Sequence, residues 1–386
     1  MYYALAALFT AAPLYVLRFT FAGLPLNALE ILIPIFLLVF FIRLAKNRQT
    51  GEFIRVLKAQ PKINYVLISL LAVASIISFI ISPDHHRALG LLGAFFIEPM
   101  LVYFPALYIF SDSKNRDRFA KWLFIVIGIV SAYAIVQYFT LAGLPKQWWG
   151  NSMEPKRALS VFEYPNAYAL YLAPILAFLL PFIFQKNTSK WYKVAYIIGL
   201  LGLLLSLSRG GWLGLGVAAA FFAFFLSNRT AKKYLLGFAL GAVIIIAAVP
   251  NLRYRVILPF VGEKSTVSRY SLWHTADKMI KSSPLMGKGL YGFQTDFNQY
   301  NTDPNLQPIN FPHNIFLNFW VETGLLGLIS FTGICIVAFI RSWKTKTLAA
   351  TGLMLFLLAI FVHGQVDAPY LKNDLALIFW IILAMI

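Results

Sequence analysis

The chain has 386 residues, of which 60% are hydrophobic and only 12% charged. With a mean hydropathy of +0.72, this excludes a soluble domain and describes a polytopic membrane protein. The net charge of +18 does not point to nucleic acid, because the basic residues stand between long apolar runs rather than on one aromatic-rich face. The single cysteine, Cys335, lies in an apolar run, which excludes an internal disulfide and a cysteine-based metal site.

Runs of about 17 to 25 apolar residues predict an all-α protein of twelve spans: 2–17, 24–42, 63–82, 89–110, 120–142, 164–184, 192–208, 211–227, 234–250, 313–340, 347–363 and 373–386. Met1–Leu17 has no basic n-region and no small-residue cleavage site, so it reads as a retained first span. Alternate loops hold 19 of the 33 Lys and Arg residues against three acids, Glu52, Asp112 and Asp117. That asymmetry places those loops and both termini in the cytoplasm. The segments 18–23, 143–164, 208–211, 251–312 and 364–372 then lie on the outer side. The longest, 251–312 between the ninth and tenth spans, is too long for a turn and predicts a lid or platform with a helix over Ser268–Lys281. Residues 1–386 read as one transmembrane domain without internal repeats.

The unusual polar residues gather on that outer side. In NFPHNIFLNFWVETG, residues 310–324, His313 is followed by Asn314, Asn318 and Glu322 at four-residue spacing, one stripe roughly 12 Å long on a helix. Lipid does not accept such a stripe, so it faces protein or a wet cavity. An acid inside a span costs roughly 2.5–3.5 kcal/mol, so Glu322 implies a partner or a cavity, and structural and substrate-wall readings both stand. Arg157 lies in PKRALSVFEYPNAYAL, Arg209 in SLSRGGWLG and Arg269 in RYSLWHTADKMI, while HGQVDAPYLKND holds His363, Asp367 and Asp374. Each has a plain reading: Arg209 as an interfacial turn residue, Asn166 as a helix-start device, His313 as a satisfied helix-end histidine, and Asp367 and Asp374 as flanks of the last helix. Together, three arginines and a histidine with few acids suit displacement of a diphosphate by an alcohol. Arginine forks bind phosphate bidentately, and a neutral histidine can take the hydroxyl proton, a role worth about 10²- to 10⁴-fold.

KRALSVFEYPNAYALYL, SRGGWLGL, RYSLWHTADKMIKSSPLMGKGLYGF and PHNIFLNFWVETGLLGL occur in that order. From about residue 150 onward the chain thereby resembles the O-antigen ligase and O-antigen polymerase superfamily of membrane glycosyltransferases. The resemblance implies an inverting, metal-independent transferase without a cofactor, working at the outer face of the bacterial inner membrane. It would take a glycan from a polyprenyl (undecaprenyl) diphosphate carrier and pass it to a hydroxyl of a glycan, lipid or protein acceptor. It implies His313 as general base and Arg209 and Arg269 as diphosphate ligands, with Arg157 in the same cluster; Lys264, Lys278 or Lys288 could supply the charge in place of Arg269. Asn314, Asn318 and Glu322 then line the wall below His313. Ligase and polymerase differ in the acceptor, which the sequence leaves open. The competing class is a flippase or transporter for a lipid-linked anion, but transporters hold charge near the midplane and show repeats, whereas here it collects at one end of the spans. A conventional transferase with metal-binding paired acids is disfavoured by the first outer loop, RFTFAG, which contains no acid. Trp148 and Trp149 either meet interfacial lipid or stack on sugar.

Overall fold

The computed structural model describes residues 1–21, 24–151, 155–257 and 264–386. The first helix, Tyr2–Thr10 (α1), gives way to a 3₁₀ turn at Ala12–Val16 with Pro13 near its start. Proline has no N–H to continue the ladder, so the expected span 2–17 is not one helix. Arg18–Phe21 (β1) and Leu24–Asn27 (β2) pair antiparallel, Arg18 opposite Asn27 and Phe19 opposite Leu26. The sequence reading had a loop running into a span there; residues 22 and 23 of that loop lie outside the described residues. The next helix starts at Ala28 because Asn27 and Glu30 form a capping box, each side chain accepting the other's backbone N–H.

The remaining helices, in chain order, are Ala28–Lys46 (α2), Thr50–Lys58 (α3), Lys62–Ile80 (α4), His85–Leu91 (α5), Glu98–Phe110 (α6), Ser113–Thr140 (α7), Pro165–Ile183 (α8), Lys190–Leu205 (α9), Arg209–Phe221 (α10), Arg229–Ala248 (α11), Pro250–Ile257 (α12), Lys264–Ser282 (α13), Gly292–Thr295 (α14), Phe297–Tyr300 (α15), Ile315–Thr345 (α16), Leu348–His363 (α17) and Asn373–Leu383 (α18). A π-helical turn, Leu92–Ile97, joins α5 to α6. Among the described residues, eight helices are long and apolar enough to cross a membrane, which makes this a polytopic helical membrane protein. The other four expected spans correspond to the shorter α1, α9, α17 and α18. The expected outer segment contains α12 to α15, and α13 covers the helix predicted at 268–281. Residues 258–263 of that segment, and the side chain of Lys264, lie outside the described residues.

Contacts divide the chain into two compact units. The first comprises Met1–Asp117, Ser268–Lys344 and Gly364–Ile386. At its centre is a buried aromatic cluster in which Phe319 stacks on Phe331, centroids 4.0 Å apart, and both meet Tyr370. The Tyr370 hydroxyl donates to the Phe95 carbonyl (2.9 Å) and accepts from the Trp380 indole (2.9 Å), so the loop before α18 is tied to the core by a satisfied polar pair.

The second unit comprises Arg118–Val267 and Thr345–His363. Its core helix is α8, nearly all of whose residues are buried in the protein, and α9, α10 and α17 pack around it. Gly214 on α10 shows why that stretch is rich in glycine: a Cβ there would lie 2.8 Å from the Ala359 carbonyl oxygen of α17. Small residues at crossings let helix backbones approach closely, which supports association where lipid supplies no hydrophobic drive.

Candidate functional site

His313 stands immediately before α16 with φ +49°, in the left-handed region where a non-glycine residue is roughly 1–2 kcal/mol strained. Its surroundings over-determine that conformation. The imidazole Nδ1–H donates to Asp367 Oδ1 at 3.0 Å, and two residues on the Ile315 amide donates to the Gly364 carbonyl at 2.7 Å. Asp367 is buried and His313 is about one-third exposed, with side-chain exposures of 5% and 34%. Holding the proton on Nδ1 leaves Nε2 as the basic nitrogen.

Four consecutive residues of one loop hold this corner together. The Gly364 carbonyl takes the Ile315 amide, the Gln365 carbonyl takes Asn314 Nδ2 at 3.2 Å, the Val366 carbonyl takes Arg269 Nε at 3.0 Å, and Asp367 takes His313. Three of the residues expected from sequence, His313, Asn314 and Arg269, therefore meet on 364–367. Asp367, which the sequence reading left as a helix flank, is the residue that pairs with the histidine. It has no capping role: α17 ends before it and the N-cap of α18 is Lys372. Arg269 rather than Lys288 reaches this loop; the Lys288 ammonium donates to the Tyr300 hydroxyl at 2.6 Å, and with Ser282 it holds that phenol below its usual range.

The polar stripe below His313 divides into three roles. Asn314 caps α16, its Oδ1 accepting from the Phe316 and Leu317 amides at 3.0 and 3.1 Å. Asn318 is wholly buried, with neither amide atom hydrogen-bonded among the described residues. Glu322 is buried at 2% exposure, and its two oxygens accept the Tyr291 and Phe293 amides at 2.5 and 3.2 Å. The Glu322 carboxylate is thus engaged by backbone rather than facing a cavity; it clamps the loop 284–293 onto α16.

That loop also explains Gly324. Gly324 has φ +66° and ψ −174°, which breaks α16 into two helices. A break inside a span strands backbone groups that lipid cannot satisfy. Here the loop supplies the partners: the Leu325 amide donates to the Leu285 carbonyl at 3.0 Å and the Lys288 amide to the Val321 carbonyl at 2.6 Å. Trp320 Nε1 adds a bond to the Pro284 carbonyl at 2.7 Å. On its far side the loop is held by Ser82, whose hydroxyl donates to the Leu290 carbonyl at 2.6 Å, and by the Leu290 amide on the Ser78 carbonyl at 3.0 Å.

The other two expected arginines belong to the second unit, where they meet at the turn between α9 and α10. Leu207 in that turn has φ +51°, a left-handed reversal of the kind that ends helices. Arg157 Nε donates to the Ser206 carbonyl at 2.9 Å and its Nη2 to Asn166 Oδ1 at 2.7 Å. Its guanidinium also lies 5.5 Å from the centre of the Trp148 ring, a cation–π distance. Asn166 is therefore a partner of Arg157 as well as a first-turn residue of α8. Arg209 Nη1 donates to the Arg255 carbonyl at 3.3 Å, and Arg255 Nε donates back to the Leu207 carbonyl at 3.2 Å. Arg255 had no motif to mark it.

Residues 194–332 match the family model described as O-antigen ligase. Over that stretch the chain is similar to the O-antigen ligase superfamily. An O-antigen ligase of Pseudomonas aeruginosa is 28% identical over 297 residues, covering 74% of this chain and 68% of that protein. An uncharacterized protein of Haemophilus influenzae is 26% identical over 188 residues, 42% of this chain and 47% of its own length, so the chain spans about half of that relative. The superfamily match includes Arg209, Arg269, His313 and Glu322, while Arg157 and Asp367 fall outside its bounds.

Proposed function

We propose that this protein transfers a glycan from a polyprenyl diphosphate carrier to an acceptor hydroxyl, with inversion, at the outer face of a bacterial inner membrane. The observation that carries the reading is the His313–Asp367 pair with Arg269 fixed to the neighbouring carbonyl of the same loop. It is supported by the match of residues 194–332 to the family model described as O-antigen ligase and by similarity to a protein described as an O-antigen ligase.

In this reading the acceptor O–H gives its proton to His313 Nε2 as the oxygen bonds to the anomeric carbon. The bond from that carbon to the diphosphate oxygen breaks, and the electron pair leaves with the diphosphate. Asp367 holds the tautomer and stabilises the imidazolium as it forms. In the first unit Arg269 binds the diphosphate and offsets the charge that develops on departure; in the second unit Arg157 and Arg209 are proposed as diphosphate ligands. Asn318 contributes polarity to the wall beneath the base, while Asn314 and Glu322 act by positioning. The chemistry needs no metal, since arginine charge does the work of a Lewis acid on the leaving group. The excess of Lys and Arg in alternate loops supports cytoplasmic termini.

The test is glycan transfer by purified protein in detergent, with a polyprenyl-diphosphate-linked donor and EDTA present. Activity in EDTA that His313→Ala and Arg209→Ala each abolish is the expected result. Full activity in His313→Ala removes the base, and dependence on added metal removes the metal-free mechanism. Addition of a single glycan identifies a ligase, whereas a ladder of products identifies a polymerase.

A further inference from the structure

We infer that Arg255 is a third diphosphate-binding arginine of the second unit, completing with Arg157 and Arg209 an anion site built on the turn Ser206–Arg209; this rests on the transfer reaction proposed above. Two consecutive carbonyls of that turn, Ser206 and Leu207, each accept the Nε of an arginine, Arg157 at 2.9 Å and Arg255 at 3.2 Å. Arg209, the last residue of the turn, returns its Nη1 to the backbone of Arg255 at 3.3 Å. Arg209 is thus bonded to the backbone of Arg255, and Arg255 to the backbone two residues before Arg209, which ties the two segments together.

An Nε bond to a fixed carbonyl sets the plane of a guanidinium. Plane control is what distinguishes bidentate phosphate recognition from simple charge attraction. Three guanidinium groups gathered at one four-residue turn match the several oxygens of a polyanion. The ligand class that fits is a diphosphate, which offers two phosphoryl groups to several forks at once. The N-terminus of α10 begins at Arg209 and adds its positive end to the same field. The neighbouring Arg253 marks the contrast: its Nη1 lies 3.5 Å from the carbonyl of Ala247, at the end of α11, and takes no part in the turn.

The full-length protein in detergent is titrated with polyprenyl diphosphate, using tryptophan fluorescence, with inorganic pyrophosphate and phosphatidylglycerol as competitors. Arg255→Gln retains an N–H donor and removes the charge; Arg255→Lys retains the charge and removes the fork. Both are expected to weaken binding about ten- to hundredfold, the range for one charge-assisted bond, with the unfolding temperature unchanged and a shallower salt dependence. Arg253→Gln should bind as the wild type does. Wild-type affinity in Arg255→Gln, with Arg209→Ala impaired, overturns the assignment of Arg255 and leaves the transfer reaction standing. A wild-type protein that binds no polyprenyl diphosphate overturns both. A lowered unfolding temperature in both Arg255 variants, with affinity intact, makes Arg255 a structural staple. Competition by phosphatidylglycerol as strong as by pyrophosphate makes the site one for lipid phosphate in general and overturns its assignment to diphosphate.

Discussion

Asp367→Asn and Asp367→Ala should differ by more than their similar loss of charge suggests. Asp367 Oδ1 accepts two bonds, from His313 Nδ1 at 3.0 Å and from the Ala368 amide at 2.9 Å. In Asp367→Asn the Ala368 N–H pins the amide oxygen where the carboxylate oxygen was, so His313 keeps its acceptor and its tautomer. Only the charge is lost. Opposite charges about 4 Å apart at an effective dielectric near 20 interact by about 4 kcal/mol; a base half-protonated in the transition state senses about half of that, ~2 kcal/mol, or about 30-fold in kcat. Asp367→Ala loses the acceptor as well, which brings the penalty to about 3–4 kcal/mol, or roughly 10²- to 10³-fold. Initial rates of transfer with saturating polyprenyl-diphosphate donor measure both, with KM for the donor expected to stay within about threefold because Asp367 does not touch phosphate. Wild-type kcat in Asp367→Ala would refute the dyad. Equal losses in the two variants would refute the pinned-oxygen reasoning, since they would mean the asparagine had turned its NH₂ to the histidine.

Other expectations concern the frame that holds the site. Glu322→Ala orphans the Tyr291 and Phe293 amides and should destabilise the protein by about 2–5 kcal/mol, seen as a lowered unfolding temperature in detergent. Glu322→Gln keeps one acceptor and should fall between that variant and the wild type. Gly324→Ala sets a side chain at φ +66° with its Cβ pressed against the Leu285 carbonyl oxygen; a loss of at least about 2 kcal/mol should show as poor yield of folded protein. His313→Ala, with the unfolding temperature preserved, should lower kcat by about 10²- to 10⁴-fold; a loss of under tenfold would exclude general-base catalysis there.

Sequence and structure agree best where the signal is local. Long apolar runs fixed most helices to within a few residues, because burial in lipid and helix formation demand the same pattern. The N-terminal region departs from that pattern: Pro13 interrupts what hydropathy alone reads as a span, and the paired strands 18–21 and 24–27 are too short for hydropathy to resolve. In the site, His313, Arg209 and Arg269 stood out because their residue types are rare in such surroundings. Their partners did not. Asp367 lies 54 positions from His313, and Arg255 lies 48 from Leu207; pairings at that separation leave no periodic trace in one chain. Glu322 shows the same limit from the other side, since its cost in a span marks it as unusual but its spacing to Asn318 says nothing of the loop about thirty residues upstream that claims it.

The division of α16 at Gly324 has a consequence for biogenesis. The loop 284–293, which supplies the carbonyl and amide that the division needs, is synthesised before the helix it completes. When the interrupted segment enters the membrane, its partners already exist upstream, and its two halves need not pass through lipid with exposed backbone. A circular permutation that placed this loop after α16 would reverse that order, and its cost would fall on insertion yield rather than on the energy of the finished fold.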